Sequence, residues 1–247
     1  MLSKTIESPL FHYYTDLIGL YMWQEVPSCA TYSYETNKSY MQEMPNQILD
    51  HISHPCIIGY ILFNESWGII EVKDSIEQQK LTVDAYEIAK KLCPNRLVIS
   101  NDGWEHTISD VITFHNYESS KSTLDRTLGE NLRKMVRGEN TEVFWNHKFF
   151  VNNYTYSNQP LIFSEFAGIP FCLKENGWGY GDSVNDANGF IKRYQEQLDF
   201  IYDHKEIRGF CMTQLTDVQQ EQNGILTEDR IKKIDFKILK EMHDRFV

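Results

Sequence analysis

Basic residues are in short supply in this 247-residue chain: 24 Lys and Arg stand against 35 Asp and Glu, a net charge of -11. A surface so poor in positive charge is unsuited to nucleic acid or to an anionic membrane face, so neither is expected as a partner. Long apolar runs are also missing. No stretch reaches the ~18 residues of a membrane span, and the N-terminus lacks the basic-then-apolar order of a signal peptide. The five cysteines, Cys29, Cys56, Cys93, Cys172 and Cys211, are an odd number without a CxxC. That suggests neither a disulfide framework nor a zinc site. Cys56 and Cys211 lie in expected strands as small hydrophobes, which fits a reducing compartment and makes cytoplasmic residence the expectation. No His, Cys, Asp or Glu cluster has metal-ligand spacing, so no metal and no cofactor are expected. Repeats, low-complexity tracts and linkers rich in Pro, Gly or Ser are absent, which favours one domain over residues 1–247.

What is present is an alternation of short apolar runs with longer amphipathic ones, the mark of an α/β fold. Six strands are expected: Leu20–Glu25, Ile57–Phe63, Arg96–Ser100, Val111–His115, Leu161–Ser164 and Arg208–Thr213. Several are continuously apolar, as parallel strands covered on both faces are. Helices fill the gaps. Leu81, Ala85, Ile88, Ala89 and Leu92 share one helical face, with Ser75 and Gln78 resembling a capping box and Pro94 as the stop. Phe190, Tyr194, Leu198 and Ile201 form a second stripe, and Ile234, Ile238, Met242 and Phe246 a third. Pro9 to Leu17, Met44 to His51 and Leu124 to Val136 are further helices with weaker patterns. The aromatic content, 13%, serves either a core or carbohydrate platforms.

Two glutamates stand at strand ends. Glu65 follows an apolar run in CIIGYILFNESWG, and Glu165 follows another in PLIFSEFAG. A carboxylate at the C-terminal end of a buried strand is where a (β/α) barrel places its chemistry, and two carboxylates about one sugar are what glycosidic cleavage requires. Each has a plainer reading. Glu65 also suits the first turn of a helix, where the macrodipole favours an acid; SEFAG alone is a weak motif. Together, in equivalent places three strands apart, they form a stronger signal. Asn64 beside Glu65 is able to bond a sugar hydroxyl next to the anomeric carbon. His115, at a strand end, is either structural or directed toward the same mouth. Trp104 is a stacking platform or a loop-packing residue, with Asp102 and Glu105 beside it as acceptors. Trp178 in NGWGYGD offers a wall or lid, and Gln214 and Asp217 follow the last strand.

The whole chain resembles the C-terminal three-quarters of the catalytic barrel of glycoside hydrolase family 2, which includes β-galactosidases, β-glucuronidases and β-mannosidases. The resemblance runs through LIGLYMWQEVP, HPCIIGYILFNESWG, SNDGWEH, FHNYES, PLIFSEFAG and GFCMTQLTDVQQEQNGILTEDR. It implies a TIM-type (β/α) barrel, incomplete, with the strands equivalent to the third through the eighth. It implies a retaining exo-β-glycosidase, Glu65 as acid/base and Glu165 as nucleophile, with a carboxylate separation of about 5–5.5 Å. It makes Tyr117 the tyrosine that bonds the nucleophile, and points to N-terminal β-sandwich domains in a parent protein. The substrate is then a β-glycoside or oligosaccharide. β-Glucuronidases carry Asn-x-Lys before the glycine of the last loop, where this chain has Glu221 and Asn223 ahead of Gly224. A glutamate repels a sugar carboxylate, so a neutral, galactoside-like sugar is favoured over a glucuronide. Large bacterial β-galactosidases place His three residues after the nucleophile, where Gly168 stands here. The alternative is a truncated barrel or carbohydrate-binding pseudoenzyme. Only 19 residues precede the first strand, and an arc of six strands exposes two sheet edges. Little or no activity is expected of the chain alone, and the exposed edges offer either a homo-oligomer or, equally, aggregation.

Overall fold

The computed structural model describes residues 7–172 and 176–246. In chain order the elements are α1 (Pro9–Ile18), β1 (Met22–Glu25), α2 (Tyr34–His51), β2 (Ile57–Ile61), α3 (Ile76–Leu92), β3 (Leu97–Ile99) and β4 (Ile112–His115). There follow α4 (Lys121–Leu124), a π-helical turn (Asp125–Gly129), α5 (Glu130–Met135), β5 (Glu142–Phe144) and β6 (His147–Lys148). The chain then forms β7 (Leu161–Ala167), α6 (Ala187–Asp203), β8 (Ile207–Thr213) and α7 (Phe236–His243). It divides into two compact units: Met1–Phe114 with Met135–Leu161, and His115–Lys134 with Ile162–Val247.

The first unit is built on a parallel sheet in the order β1–β2–β3, with Trp23 opposite Gly59 and Tyr60 opposite Val98. Its core gathers Met22, Ile57, Tyr60 and Val98 from the strands with Met44, Ile48, Ala85 and Ala89 from α2 and α3. Each large apolar side chain so buried contributes about 1.5–3 kcal/mol. The α3 stripe therefore does what its spacing implied. Ser75 caps that helix by accepting from Gln78 N at 3.3 Å, but the Gln78 side chain accepts from Glu71 N instead of closing the box. The reciprocal capping box belongs to α2, between Ser33 and Thr36. That helix starts ten residues before the expected Met44. Its first turns are polar, and only Tyr40, Met44, Ile48 and His51 are buried, a narrow stripe. It also holds Pro45 in its interior, which costs about 3 kcal/mol in an isolated helix.

The antiparallel pair β5–β6 was not expected. Its two connecting residues, Trp145 and Asn146, both have positive φ, 45° and 66°. That is the backbone of a tight hairpin turn, made here by a dipeptide without the usual glycine.

In the second unit β7 and β8 are neighbours. The α6 stripe is buried as its spacing predicts: Phe190, Tyr194, Leu198 and Ile201. Phe166 of β7 stacks on Tyr194 at 5.8 Å, and the Tyr194 hydroxyl bonds His243 Nε2 of α7 at 2.7 Å. The expected helix Leu124 to Val136 is helical but interrupted by the π turn. All six expected strands occur, their ends coinciding with the expected ones or displaced by up to three residues.

Candidate active site

Glu65 lies four residues beyond the end of β2. Asn64 pairs with Asp102 as one further parallel bridge beyond β2 and β3. Asp102 N donates to Phe63 O at 2.8 Å, and Glu65 N to Asp102 O at 2.9 Å. Asp102, itself buried, thus fixes Glu65 through the main chain. The chain then turns sharply. Glu65 and Ser66 have φ of 50° and 58°, and Trp67 N closes the turn on Asn64 O at 2.9 Å. Two consecutive left-handed non-glycine residues cost about 1–2 kcal/mol each, so surrounding bonds must hold them. Ser66 N donates to Asn101 Oδ1 at 3.1 Å, and Asn101 Nδ2 donates to Ser66 Oγ at 3.0 Å and to Trp104 O at 2.7 Å. Ser66 Oγ donates in turn to Glu105 Oε2 at 2.6 Å. The other Glu105 oxygen meets His147 Nδ1 at 2.9 Å. Gly68 completes the turn: a Cβ there would stand 2.1 Å from Cys29 O.

The Glu65 side chain is partly exposed. Asn64 is 6% exposed, and its Oδ1 is buried without a hydrogen-bond partner among the described residues. An orphaned buried acceptor is uncommon and marks a place where a ligand group or water belongs. Trp104 is buried, one face stacked on His147 at 4.2 Å and 10°.

Glu165 is held differently. It is the fifth residue of β7 and is 6% exposed. Tyr117 donates its hydroxyl to Glu165 Oε2, and Thr213 Oγ1 donates to the same oxygen at 3.4 Å. His115 is fully buried, with Nε2 3.6 Å from Glu165 Oε1. Asn116 N donates to Glu165 O at 3.1 Å, fixing the chain between His115 and Tyr117 alongside β7. The contact that the resemblance implied for Tyr117 is therefore present, and His115 stands on the same carboxylate. Tyr117 is itself backed by Tyr180, the rings stacked at 3.6 Å and 6°. This explains Gly168. Its φ is 54°, and a Cβ would fall 2.5 Å from Tyr180 and 2.9 Å from Tyr117.

Trp178 is 48% exposed, on the loop that also carries Tyr180, and its backbone bonds Gln220 O and Gln222 N. Asp217 serves the loop after β8: it accepts from Lys233 Nζ at 2.7 Å and from Gly224 N at 2.9 Å. Gln214 donates to Asn223 Oδ1 at 2.6 Å, and Asn223 Nδ2 to Glu221 Oε1 at 3.1 Å. Sequence reasoning missed Ser66, Asn101, His147, Thr213, Tyr180 and Lys233. His147 lies 42 residues from Glu105, and nothing local marks either Lys233 or Tyr180. Within either unit taken alone, no three metal-ligating side chains converge among the described residues. No helix of the described residues is long and apolar enough to cross a membrane.

Known proteins resemble this chain in family and in fold. The model of the family described as glycosyl hydrolases family 2, TIM barrel domain, matches residues 14–247. No curated protein matches. Among solved structures, a family 2 β-galacturonidase from Eisenbergiella tayi bound to galacturonate is similar at TM-score 0.72 and 16% identity, over 98% of this chain and 44% of that one. A putative β-galactosidase from Bacteroides fragilis gives 0.70 and 18%, over 98% and 36%. A β-D-glucuronidase from Dictyoglomus thermophilum gives 0.71 and 15%, over 99% and 43%. The chain thus spans less than half the length of these structures, and at such identities the likeness is one of fold. The described residues supply six strands of the α/β series where a closed barrel of this type has eight. With the family model matched over all but the first residues, the chain belongs to glycosyl hydrolases family 2, as a TIM barrel domain of that family.

Proposed function

We propose that this chain carries the chemistry of a retaining exo-β-glycosidase, with Glu165 as nucleophile and Glu65 as general acid/base. The observation that most supports it is the grip on Glu165. A buried carboxylate at a strand end accepts from Tyr117 and Thr213, with His115 beside its second oxygen. Donors directed at a carboxylate fix its direction, which is what attack on an anomeric carbon demands. In the first step Glu65 gives its proton to the leaving oxygen as Glu165 bonds the anomeric carbon. In the second, Glu65 takes a proton from water, the water oxygen bonds the anomeric carbon, and the Glu165 ester breaks. Asn64 enters as a substrate contact through its unpartnered Oδ1, which is able to accept from a sugar hydroxyl. Asp102, Trp104 and Trp178 flank the sugar in this reading.

The sugar is proposed to be neutral and galactoside-like. Glu221, bonded by Asn223, brings negative charge to the loop after β8, and Lys233 is buried and ion-paired with Asp217. The buried lysine of that loop is thereby already engaged by a carboxylate of the chain itself. A 2-fluoro-β-galactoside with an activated leaving group, followed by peptide mass mapping, tests the assignment: one sugar mass on the peptide carrying Glu165 is expected. A label on another residue, or product released with inverted configuration, would overturn it. Nitrophenyl β-galactoside is expected to be turned over at least tenfold more efficiently than the glucuronide.

A further inference from the structure

We infer that the cleft beside the β5–β6 hairpin is a subsite for the sugar on the leaving-group side of the scissile bond, an inference that rests on Glu65 being the acid/base. The cleft has a volume of about 550 Å³ and lies within the first unit, lined by Trp145, His147, Glu105, Glu71, Lys73 and Asp74 among others. That volume falls in the range of ~300–1,000 Å³ typical of small-molecule sites.

Three observations point to a saccharide. Trp145 is 67% exposed, while one face of its ring stacks on the buried Phe144 at 4.3 Å and 22°. It therefore presents a flat, rigid apolar surface to solvent at the tip of the hairpin, and a bulky residue at φ 45° is an unusual choice there. Around this plate stand polar groups of mixed sign, Glu71 and Asp74 with Lys73. A neutral polyhydroxyl ligand both stacks on such a plate and bonds such groups. An anion would meet two carboxylates, and an apolar protein surface would leave buried charges unpaired. The third observation is connectivity. Glu105 and His147 line the cleft, they bond each other, and Glu105 accepts from Ser66, the residue after Glu65. The cleft is thus one hydrogen bond, Ser66 to Glu105, from the residue that follows the acid. The leaving group of a glycoside lies on the acid's side, because its oxygen takes the acid's proton.

Titration of the full chain with methyl β-D-glucopyranoside, followed by saturation-transfer NMR and tryptophan fluorescence, tests this directly and needs no turnover. Saturable binding in the millimolar range is expected, lost in Trp145→Ala and kept in Glu165→Ala. No saturation, or equal binding by Trp145→Ala, would refute the subsite. In kinetics, Trp145→Ala should lower the ratio of kcat/KM for lactose over nitrophenyl β-galactoside about tenfold, the loss of one good stacking contact. An equal fall for both substrates would also count against it. Glu165→Ala separates the two readings. If it leaves turnover intact, the catalytic assignment fails, while the titration still decides whether the cleft binds sugar.

Discussion

The stretches of chain that carry Glu65 and Glu165 differ in backbone and in the bonds around them. At β7 the backbone stays in the strand and side chains do the holding: Tyr117, Thr213 and His115 surround a buried Glu165. At β2 the backbone itself is bent into a left-handed turn, and the bonds go to Ser66 and to main-chain atoms, while the Glu65 side chain is partly exposed. A nucleophile has to be ionised and aimed. An acid/base has to lose one proton and regain one in each cycle, and a side chain that reaches solvent is able to exchange it. The difference in support matches the difference in proposed role.

The strongest way to break this comparison is to remove each carboxylate in turn. Glu165→Ala should lower turnover about 10⁴-fold or more with every leaving group. Glu65→Ala should lower it about 10²–10⁴-fold for alkyl glycosides, where acid assistance matters, and far less for dinitrophenyl glycosides. Added azide should rescue both, giving the α-glycosyl azide with Glu165→Ala and the β-anomer with Glu65→Ala. The same anomer from both variants would show that the roles are misassigned.

Next in size is Gly68→Ala. The φ of 79° and a Cβ 2.1 Å from Cys29 O leave no room for a methyl group without moving the backbone behind Glu65. A loss of about 3 kcal/mol in stability is expected, at the large end for single substitutions, read as a lower denaturant midpoint. A wild-type midpoint would mean that the turn is not the rigid support described. Tyr117→Phe acts on the other strand end and on one bond only. Losing a hydrogen bond to a charged acceptor costs about 1.5–3 kcal/mol, so kcat should fall about tenfold to a hundredfold with stability nearly unchanged. A kcat within twofold of wild type would show that Tyr117 packs beside Glu165 without supporting it.

Much of this was legible in the sequence, for identifiable reasons. The α3 and α6 stripes were readable because burial repeats at helical spacing and the side chains are large. The places of Glu65 and Glu165 were readable because polar residues break short apolar runs at Asn64–Glu65 and at Ser164–Glu165, although β2 stops earlier, at Ile61, and β7 continues to Ala167. Tyr117 came only through the family resemblance; nothing in FHNYES by itself directs a hydroxyl at a residue 48 positions away. What stayed hidden was the support around each carboxylate. The Ser66–Glu105–His147 chain joins three segments whose proximity is a property of the fold. The β5–β6 hairpin was hidden because Trp-Asn is not a turn dipeptide, and the start of α2 because its first turns bury almost nothing. Gly168 was noticed as a departure from β-galactosidases, but its reason, the stacked Tyr117 and Tyr180, needed coordinates.

The smallest expected effect sharpens the comparison by moving to the other end of β2. In barrels of this type chemistry gathers at the C-terminal ends of strands and stability at the N-terminal ends. There Asp16 accepts from Cys56 N at 2.8 Å and bonds His54 Nδ1 at 2.6 Å. Burial works to raise the Asp16 carboxyl, but these bonds outweigh it and lower it from the ordinary 3.8 to about 2. A carboxylate depressed in the folded state adds stability above its unfolded value and loses it as pH falls toward its folded one. Asp16→Asn should therefore destabilise the protein by about 1 kcal/mol between pH 7 and 4, the exposed side of such a pair being weakened by solvent. The gap to wild type should close as pH drops from about 4 to 2. Urea unfolding of both proteins at pH 7, 4 and 2.5 measures it, and a gap that stays constant would remove Asp16 from the acid response. Because Asp16 takes no part in either strand-end site, the azide products of the Glu65 and Glu165 variants should be the same with Asp16 replaced. A change in anomer on that background would mean that the two ends of β2 are not independent, and that the stiffness assigned to the Glu65 turn reaches back through the whole strand.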